Sequence, residues 1–331
     1  MNYLVANRAY QLPLRTSLRT AHGLWAEREG LLVRLEDEAG RVGYGEVAPI
    51  PWFGTETLAE ARDFLASLGG RADGEALDAA PAWLGCVRFA LNAARAQPEP
   101  AGPSRRLAVA ALLPAGRAVL EALRQRLQAG YMAFKWKVGA GRLEDELALL
   151  DEVLAGLPAY ARLRLDANGG WSRTAAARWL GRCAERPVEF VEQPLAPEDE
   201  DGLLGLAADY PVKIALDESV TGFPAARAWQ QRGWKGVFVL KPALAGPLTE
   251  LAAWVKSTGA DIVLSSAIET ALGRAAIIRL AAGQELTHRP LGFGVDGVFG
   301  DPRWDGPPIG PLVDATWAAG VDPGELWQTL A

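Results

Sequence analysis

The chain is poor in the residues that most often bind transition metals or form covalent intermediates. Its 331 residues hold two cysteines, Cys86 and Cys183, far apart and without metal-type spacing. That excludes a disulfide framework and a cysteine-based zinc site, and it fits a reducing compartment. Both cysteines read as small buried residues, the usual fate of free cysteine. Basic charge is also in deficit: 34 Lys and Arg against 40 Asp and Glu give a net charge of −6. Nucleic acid and acidic membrane, which select basic surfaces, are therefore not the expected partners. No segment supplies the ~20 apolar residues of a membrane helix. The first residues, MNYLVANRAYQLPL, lack the apolar core of a signal peptide. The expectation is a soluble, cytoplasmic protein, with monomer and homo-oligomer both open.

Half of the residues are hydrophobic, enough for a large core or for two domains. The first hundred residues alternate as antiparallel strands over 3–14 and 31–49, with DEAG as a turn. Helical spacing follows in TETLAEARDFLASL and APAWLGCVRFALNAARAQ. The Pro- and Gly-rich QPEPAGPSRR (97–106) reads as a linker. An α+β domain is thus expected over 1–103. Beyond it, short apolar runs alternate with helices, the strand candidates being 107–113, 133–139, 162–168, 188–194, 212–219, 236–242, 261–266 and 285–294. Strand–helix alternation implies parallel strands with right-handed crossovers. Eight units suit a closed (β/α)8-type barrel over 104–309. The other reading, a doubly wound open sheet, lacks a Gly-rich turn after a first strand. The tail, 310–331, is expected to return to the first domain.

Barrels of this kind carry their chemistry at the C-terminal ends of the strands. By strand parity Lys135 and Lys137 share a face, as do Arg164, Asp166 and Asn168. The next strands end at Glu192, Asp217, Lys241 and Ser265. From Asp166 onward the intervals are 26, 25, 24 and 24 residues, one strand–helix unit each, so these side chains stand at one level. Each motif alone is weak, since a lone K-x-K or D-x-N is usually a solvated face or a turn. Their ordered recurrence is not. Three neighbouring carboxylates repel and call for a cation. Oxygen ligands without His or Cys favour a hard divalent ion, Mg2+ first and Mn2+ as its substitute. A lysine beside such an ion and a second lysine is expected to have a lowered pKa and to serve as a base, with proton abstraction next to a carboxylate as the natural reaction.

With K-W-K at 135–137, D-A-N at 166–168, E-Q-P at 192–194, D-E-S at 217–219 and L-K-P at 240–242, the chain resembles the enolase superfamily in its muconate-lactonising-enzyme-like subgroup. The resemblance spans the whole chain and implies an α+β capping domain on a modified barrel. It further implies Asp166, Glu192 and Asp217 as Mg2+ ligands, Lys137 as the base, Lys135 as its electrostatic neighbour and Lys241 as the lysine across the site. The stretches TAHGLWAEREGLLVRL, GYGEVAPIPWFGTET, RLDAN and SSAIETALG are similar to the dehydratases of the subgroup. They imply loss of water from the dianion 2-succinyl-6-hydroxy-2,4-cyclohexadiene-1-carboxylate to give 2-succinylbenzoate, a step towards menaquinone or phylloquinone. On that reading Arg164 and Asn168 support the metal-side end of the substrate, while Ser265 and the backbone near Gly294 receive the succinyl end. The loop RTAHGLWAEREG would cover the mouth, Trp25 either excluding water or packing between domains. His22 and His288 have no place in this chemistry, because strand six offers Lys241 where relatives use histidine. Competing readings are racemisation of N-succinylamino acids, epimerisation of dipeptides, muconate cycloisomerisation and a non-catalytic metal-bound barrel. Epimerases place D-x-D near strand eight, where this chain has only Asp296.

Overall fold

A computed structural model describes residues 1–20, 23–95, 105–284, 286–295 and 297–330, except the side chain of Arg19. His22, Asp296 and the 97–104 part of the expected linker lie outside the described residues. Two long strands open the chain: β1 (Asn2–Thr20) and β2 (Gly23–Asp37), antiparallel from Tyr3↔Asp37 to Thr20↔Gly23. The segment expected to be a loop over the mouth is therefore the far end of this hairpin, and a register shift between Pro13 and Leu18 redirects it. The DEAG turn closes on the Asp37 carboxylate, which accepts the Ala39 and Arg41 N–H groups at 2.9 Å. Adding β3 (Val42–Val47) and β4 (Arg71–Asp73) completes a sheet of order β3-β2-β1-β4. Helices α1 (Leu58–Ser67), α2 (Gly74–Asp78) and α3 (Gly85–Arg95) cover it. A reciprocal Thr57–Glu60 capping box starts α1.

Eight parallel strands follow: β5 (Leu107–Leu113), β6 (Ala133–Lys137), β7 (Arg162–Asp166), β8 (Val188–Glu192), β9 (Ile214–Leu216), β10 (Val237–Leu240), β11 (Ile262–Leu264) and β12 (Leu291–Gly294). Their order is β11-β10-β9-β8-β7-β6-β5-β12, and a parallel bridge between Ser265 and Gly292 joins the two ends into a barrel. That closure excludes the doubly wound alternative. The crossovers are α4 (Ala118–Gln128), α5 (Leu143–Ala155), α6 (Arg173–Cys183), α7 (Glu200–Asp209), α8 (Phe223–Gln231), the pair α9 (Pro242–Ala245) and α10 (Leu248–Thr258), and α11 (Ala271–Gly283). Among the described residues, no helix returns to the sheet after β12. The chain instead turns through Pro302–Trp304 into β13 (Leu312–Val313), antiparallel to β5. Seven crossovers, not eight, make this a modified barrel.

The tail belongs to both halves. Helix α12 (Ala315–Ala319) receives Arg279 on its Ala318 carbonyl at 2.9 Å, whereas α13 (Pro323–Gln328) reaches the first sheet. There Arg8 donates to the Trp327 carbonyl at 2.7 Å and lies 4.5 Å from its ring. Inside the barrel, Phe190, Ala215, Val237, Val239 and Val263 form an apolar cluster separate from the main core. Phe190, Ala215, Val239 and Val263 each precede a strand-end polar residue by two positions. They are the floor beneath the mouth.

Candidate active site

Lys137, Asp166 and Glu192 occupy one rung of the barrel, paired across β6, β7 and β8. Asp217, Lys241 and Ser265 each stand one residue beyond the ends of β9, β10 and β11, Glu192 itself pairing with Ala215 two residues before Asp217. The backbone turns sharply here: Asn168 and Gln193 hold φ of 45° and 38°, values uncommon for non-glycine residues. Gln193 repays the strain. Its buried amide accepts the Asp217 and Ser219 N–H groups at 3.0 and 3.2 Å and donates to Ser219 Oγ at 2.8 Å, fixing where the Asp217 carboxylate starts.

The lysines divide. Lys135 is sunk among the carboxylates, its side chain 17% exposed, with Nζ 2.5 Å from Glu192 Oε1 and 3.0 Å from Asp166 Oδ2. Lys137 is 47% exposed, bonded to Asn168 Oδ1 at 2.8 Å and 3.6 Å from Asp166 Oδ2. Lys241 pairs with Asp217 from the far side of the row. Burial alone would lower Lys135, but Asp166, Glu192 and Asp217 outweigh it and hold its ammonium above the usual value. Burial also opposes ionisation of Asp166, yet Lys135 and Lys137 keep it below the usual carboxylate range. At Glu192 burial and the charges of Asp166 and Asp217 prevail over Lys135 and push it up to about 8. The middle of the row thus disfavours a further negative charge.

Among the described residues, no three acidic or imidazole side chains as they stand converge on one metal position. The Lys135 ammonium lies between the Asp166 and Glu192 carboxylates. The donor set nevertheless fits a hard cation: three carboxylates from adjacent strands, one of them reluctant to ionise, beside Glu218. Glu218 escaped the sequence reading. Its carboxylate accepts Asn168 Nδ2 at 3.0 Å on one oxygen, while the other is buried without a partner, and burial followed by the Asp217 charge raises its pKa. The only signal was its place inside D-E-S.

Arg164 requires a correction. Its strand position faces inward, but the guanidinium turns away from the mouth, donating to Glu189 Oε2 at 2.6 Å beside the Phe190 ring. A register shift between Leu163 and Arg164 accompanies this pairing, and Glu189 also receives Arg289, which binds Asp261 in turn. Arg164 belongs to an ion network below the floor. Asn168 does join the carboxylate end. Ser265 is buried at the β11–β12 seam, its N–H on the Leu240 carbonyl at 2.8 Å. Gly294 lets β12 approach β5, since a methyl there would stand 2.3 Å from the Ala110 carbonyl oxygen. His288 precedes β12 and so lies at the opposite end of the barrel. Trp25 packs edge-on to Trp52 at 5.1 Å, and Phe53 lies against Lys241, so the hairpin and the Pro51–Phe53 turn roof the mouth. Leu112, on β5 beside Lys135, contributes an apolar wall 36% exposed.

A capped barrel with a row of strand-end carboxylates between lysines is the arrangement of the enolase class. Residues 118–293 match the family described as Enolase C-terminal domain-like, and residues 6–97 match MenC, N-terminal domain. The chain is 41% identical over 317 residues to the o-succinylbenzoate synthase of Thermosynechococcus vestitus, covering 91% of this chain and 94% of that protein. It is 33% identical to the o-succinylbenzoate synthase of Yersinia enterocolitica, over 82% of this chain and 84% of the other. The crystal structure of o-succinylbenzoate synthase from Thermosynechococcus elongatus BP-1, complexed with Mg in the active site, superposes with a TM-score of 0.84 at 40% identity, covering 90% and 95% of the two chains. The chain belongs to the o-succinylbenzoate synthase family of the enolase superfamily.

Proposed function

We propose that this chain is a Mg2+-dependent lyase that dehydrates 2-succinyl-6-hydroxy-2,4-cyclohexadiene-1-carboxylate to 2-succinylbenzoate. The observation that carries the reading is 41% identity across nine-tenths of the chain to a synthase of that name. The site chemistry agrees with it. Asp166, Glu192 and Asp217 would hold the Mg2+, which supplies positive charge to the substrate carboxylate as negative charge builds there. Lys137, the more exposed lysine, has room to meet substrate and removes the proton on the ring carbon bearing the carboxylate. The same ammonium then returns that proton to the hydroxyl leaving from the same face, so the ring loses water and becomes aromatic. Lys135, held as an ammonium, sets the charge around Asp166 and Glu192. Lys241 faces the other side of the ring as a cation. Asn168 orients Lys137, and Ser265 with the backbone at Gly294 takes the succinyl end.

On this reading residues 1–103 form the cap and 104–309 the barrel, while the tail 310–331 serves both, β13 pairing with β5 and α13 reaching the cap. The partner is one small dianion, and the working compartment is the cytoplasm. The test is direct. Purified protein with Mg2+ converts the cyclohexadiene to 2-succinylbenzoate, followed by absorbance, and a chelator stops it. Failure to form the aromatic product with Mg2+ present overturns the assignment.

A further inference from the structure

Phe53 belongs to the cap, yet its ring lies 4.3 Å from the Lys241 ammonium. Among the described residues it is the one aromatic face that a lysine covers. The attraction of a cation for an aromatic face grows as water is excluded, and the Lys241 side chain is only 14% exposed. The turn that carries Phe53 is fastened on every side. The Thr55 hydroxyl accepts the Ile50 N–H at 2.8 Å, and Glu56 accepts the Val87 N–H of α3 at 2.9 Å. Gly54 takes the left-handed φ of 92° that ends the turn, with its N–H 3.0 Å from the Pro51 carbonyl. A methyl at Gly54 would stand 3.2 Å from Thr221 Cγ2, so the turn also abuts the loop after β9. A lysine on its four-carbon stem is otherwise a mobile point charge. Here Asp217 holds one side of the ammonium and the Phe53 ring the other.

Resting on the dehydration proposed above, we infer that Phe53 is a positioning residue: its ring fixes the Lys241 ammonium on the substrate face opposite Lys137. Misplacing that cation weakens its contact with charge that exists only as the proton leaves, so turnover suffers more than binding. Phe53→Leu keeps an apolar side chain but removes the ring. It lowers kcat about tenfold, with KM within about twofold and the melting temperature unchanged. Phe53→Tyr, which keeps the face, restores kcat. In a Lys241→Ala background Phe53→Leu has no further effect. An unchanged kcat in Phe53→Leu, or the same fractional loss with Lys241 absent, overturns the inference. NMR of protein carrying 13C-lysine reads the contact without turnover: a ring-shifted ε-methylene, assigned by its loss in Lys241→Arg, moves to the ordinary position in Phe53→Leu. If that shift is present while the wild-type protein forms no aromatic product, the reaction assignment fails and the Phe53 contact stands. Its absence from the wild-type spectrum overturns the Phe53 contact itself.

Discussion

Lys135 and Lys137 differ by one turn of the strand pleat and by what surrounds their ammonium groups. Parity puts both on the interior face, and the intervals along the chain put Asp166, Glu192 and Asp217 at their level. That much is legible because a strand has period two and each strand–helix unit has nearly constant length. Side-chain direction is not legible in the same way. Arg164 has the right parity, yet the displaced register at β8 presents Glu189 below it and draws the guanidinium down. Phe53 reaches Lys241 from another domain, and no periodicity links positions 53 and 241. The exposures of the two lysines lead to opposite expectations for their removal. Lys137→Ala abolishes dehydration, a loss of about a thousandfold or more for a general base, and leaves thermal unfolding nearly unchanged because the side chain is half in solvent. Lys135→Ala strips the buried Asp166 and Glu192 of their ammonium, so it lowers the melting temperature in metal-free buffer as well as the rate. Rates by absorbance and melting by circular dichroism separate the two. Normal dehydration by Lys137→Ala sinks its assignment as the base.

At the scale of elements, GYGEVAP and SSAIETALG stand out in the sequence without revealing that they meet. Glu46, on β3, is fully buried with its carboxylate at the first turn of α11. It accepts the Thr270 N–H at 2.9 Å, the Thr270 hydroxyl at 2.7 Å, the Gly273 N–H at 2.9 Å and the Tyr10 hydroxyl at 2.6 Å. A carboxylate there satisfies the free N–H groups of the helix start and opposes its positive end. Arg28 fastens the preceding turn, donating to the Pro49 carbonyl at 2.7 Å and to the Ile268 carbonyl at 3.0 Å. Ile268 itself sits at a φ of 59°, a conformation a β-branched residue holds only under compulsion. The contact joins residues 224 positions apart, which is why no local pattern foretells it. Glu46→Ala leaves four buried donors unsatisfied and is expected to cost about 3 kcal/mol in urea unfolding. Glu46→Gln, which keeps an acceptor oxygen, costs about half as much. A loss below about 1 kcal/mol for Glu46→Ala would show that the cap does not depend on this carboxylate.

The whole molecule couples the two halves through those contacts and through the tail, so binding at the mouth should be felt by the entire chain. Glu192 supplies the handle. Its folded pKa, about 8, lies above the ordinary value of 4.5 because burial and the neighbouring Asp166 and Asp217 disfavour its charge. A group raised in this way contributes stability that is full below about pH 4.5 and is lost as pH rises through about 8. Asp166, lowered instead, contributes stability above its ordinary 3.8 and loses it only in acid, so Glu192 is the carboxylate of the pair that changes between pH 5 and 8. With Glu192 in the proposed ligand set, Mg2+ would need that carboxylate ionised, and its affinity is then expected to rise over this window by up to about tenfold per pH unit for the one proton displaced. The rise in melting temperature on adding a fixed Mg2+ concentration is therefore small at pH 5.5 and largest near pH 8. Because Glu46 and Arg28 tie cap to barrel, the roof tryptophans Trp25 and Trp52 should melt together with the buried Trp136 and Trp179 of the barrel at every pH. A Mg2+ shift that is flat from pH 5.5 to 8 removes Glu192 from the ligand set. A shift confined to the barrel tryptophans instead means that the cap rides on the barrel without sharing its stability.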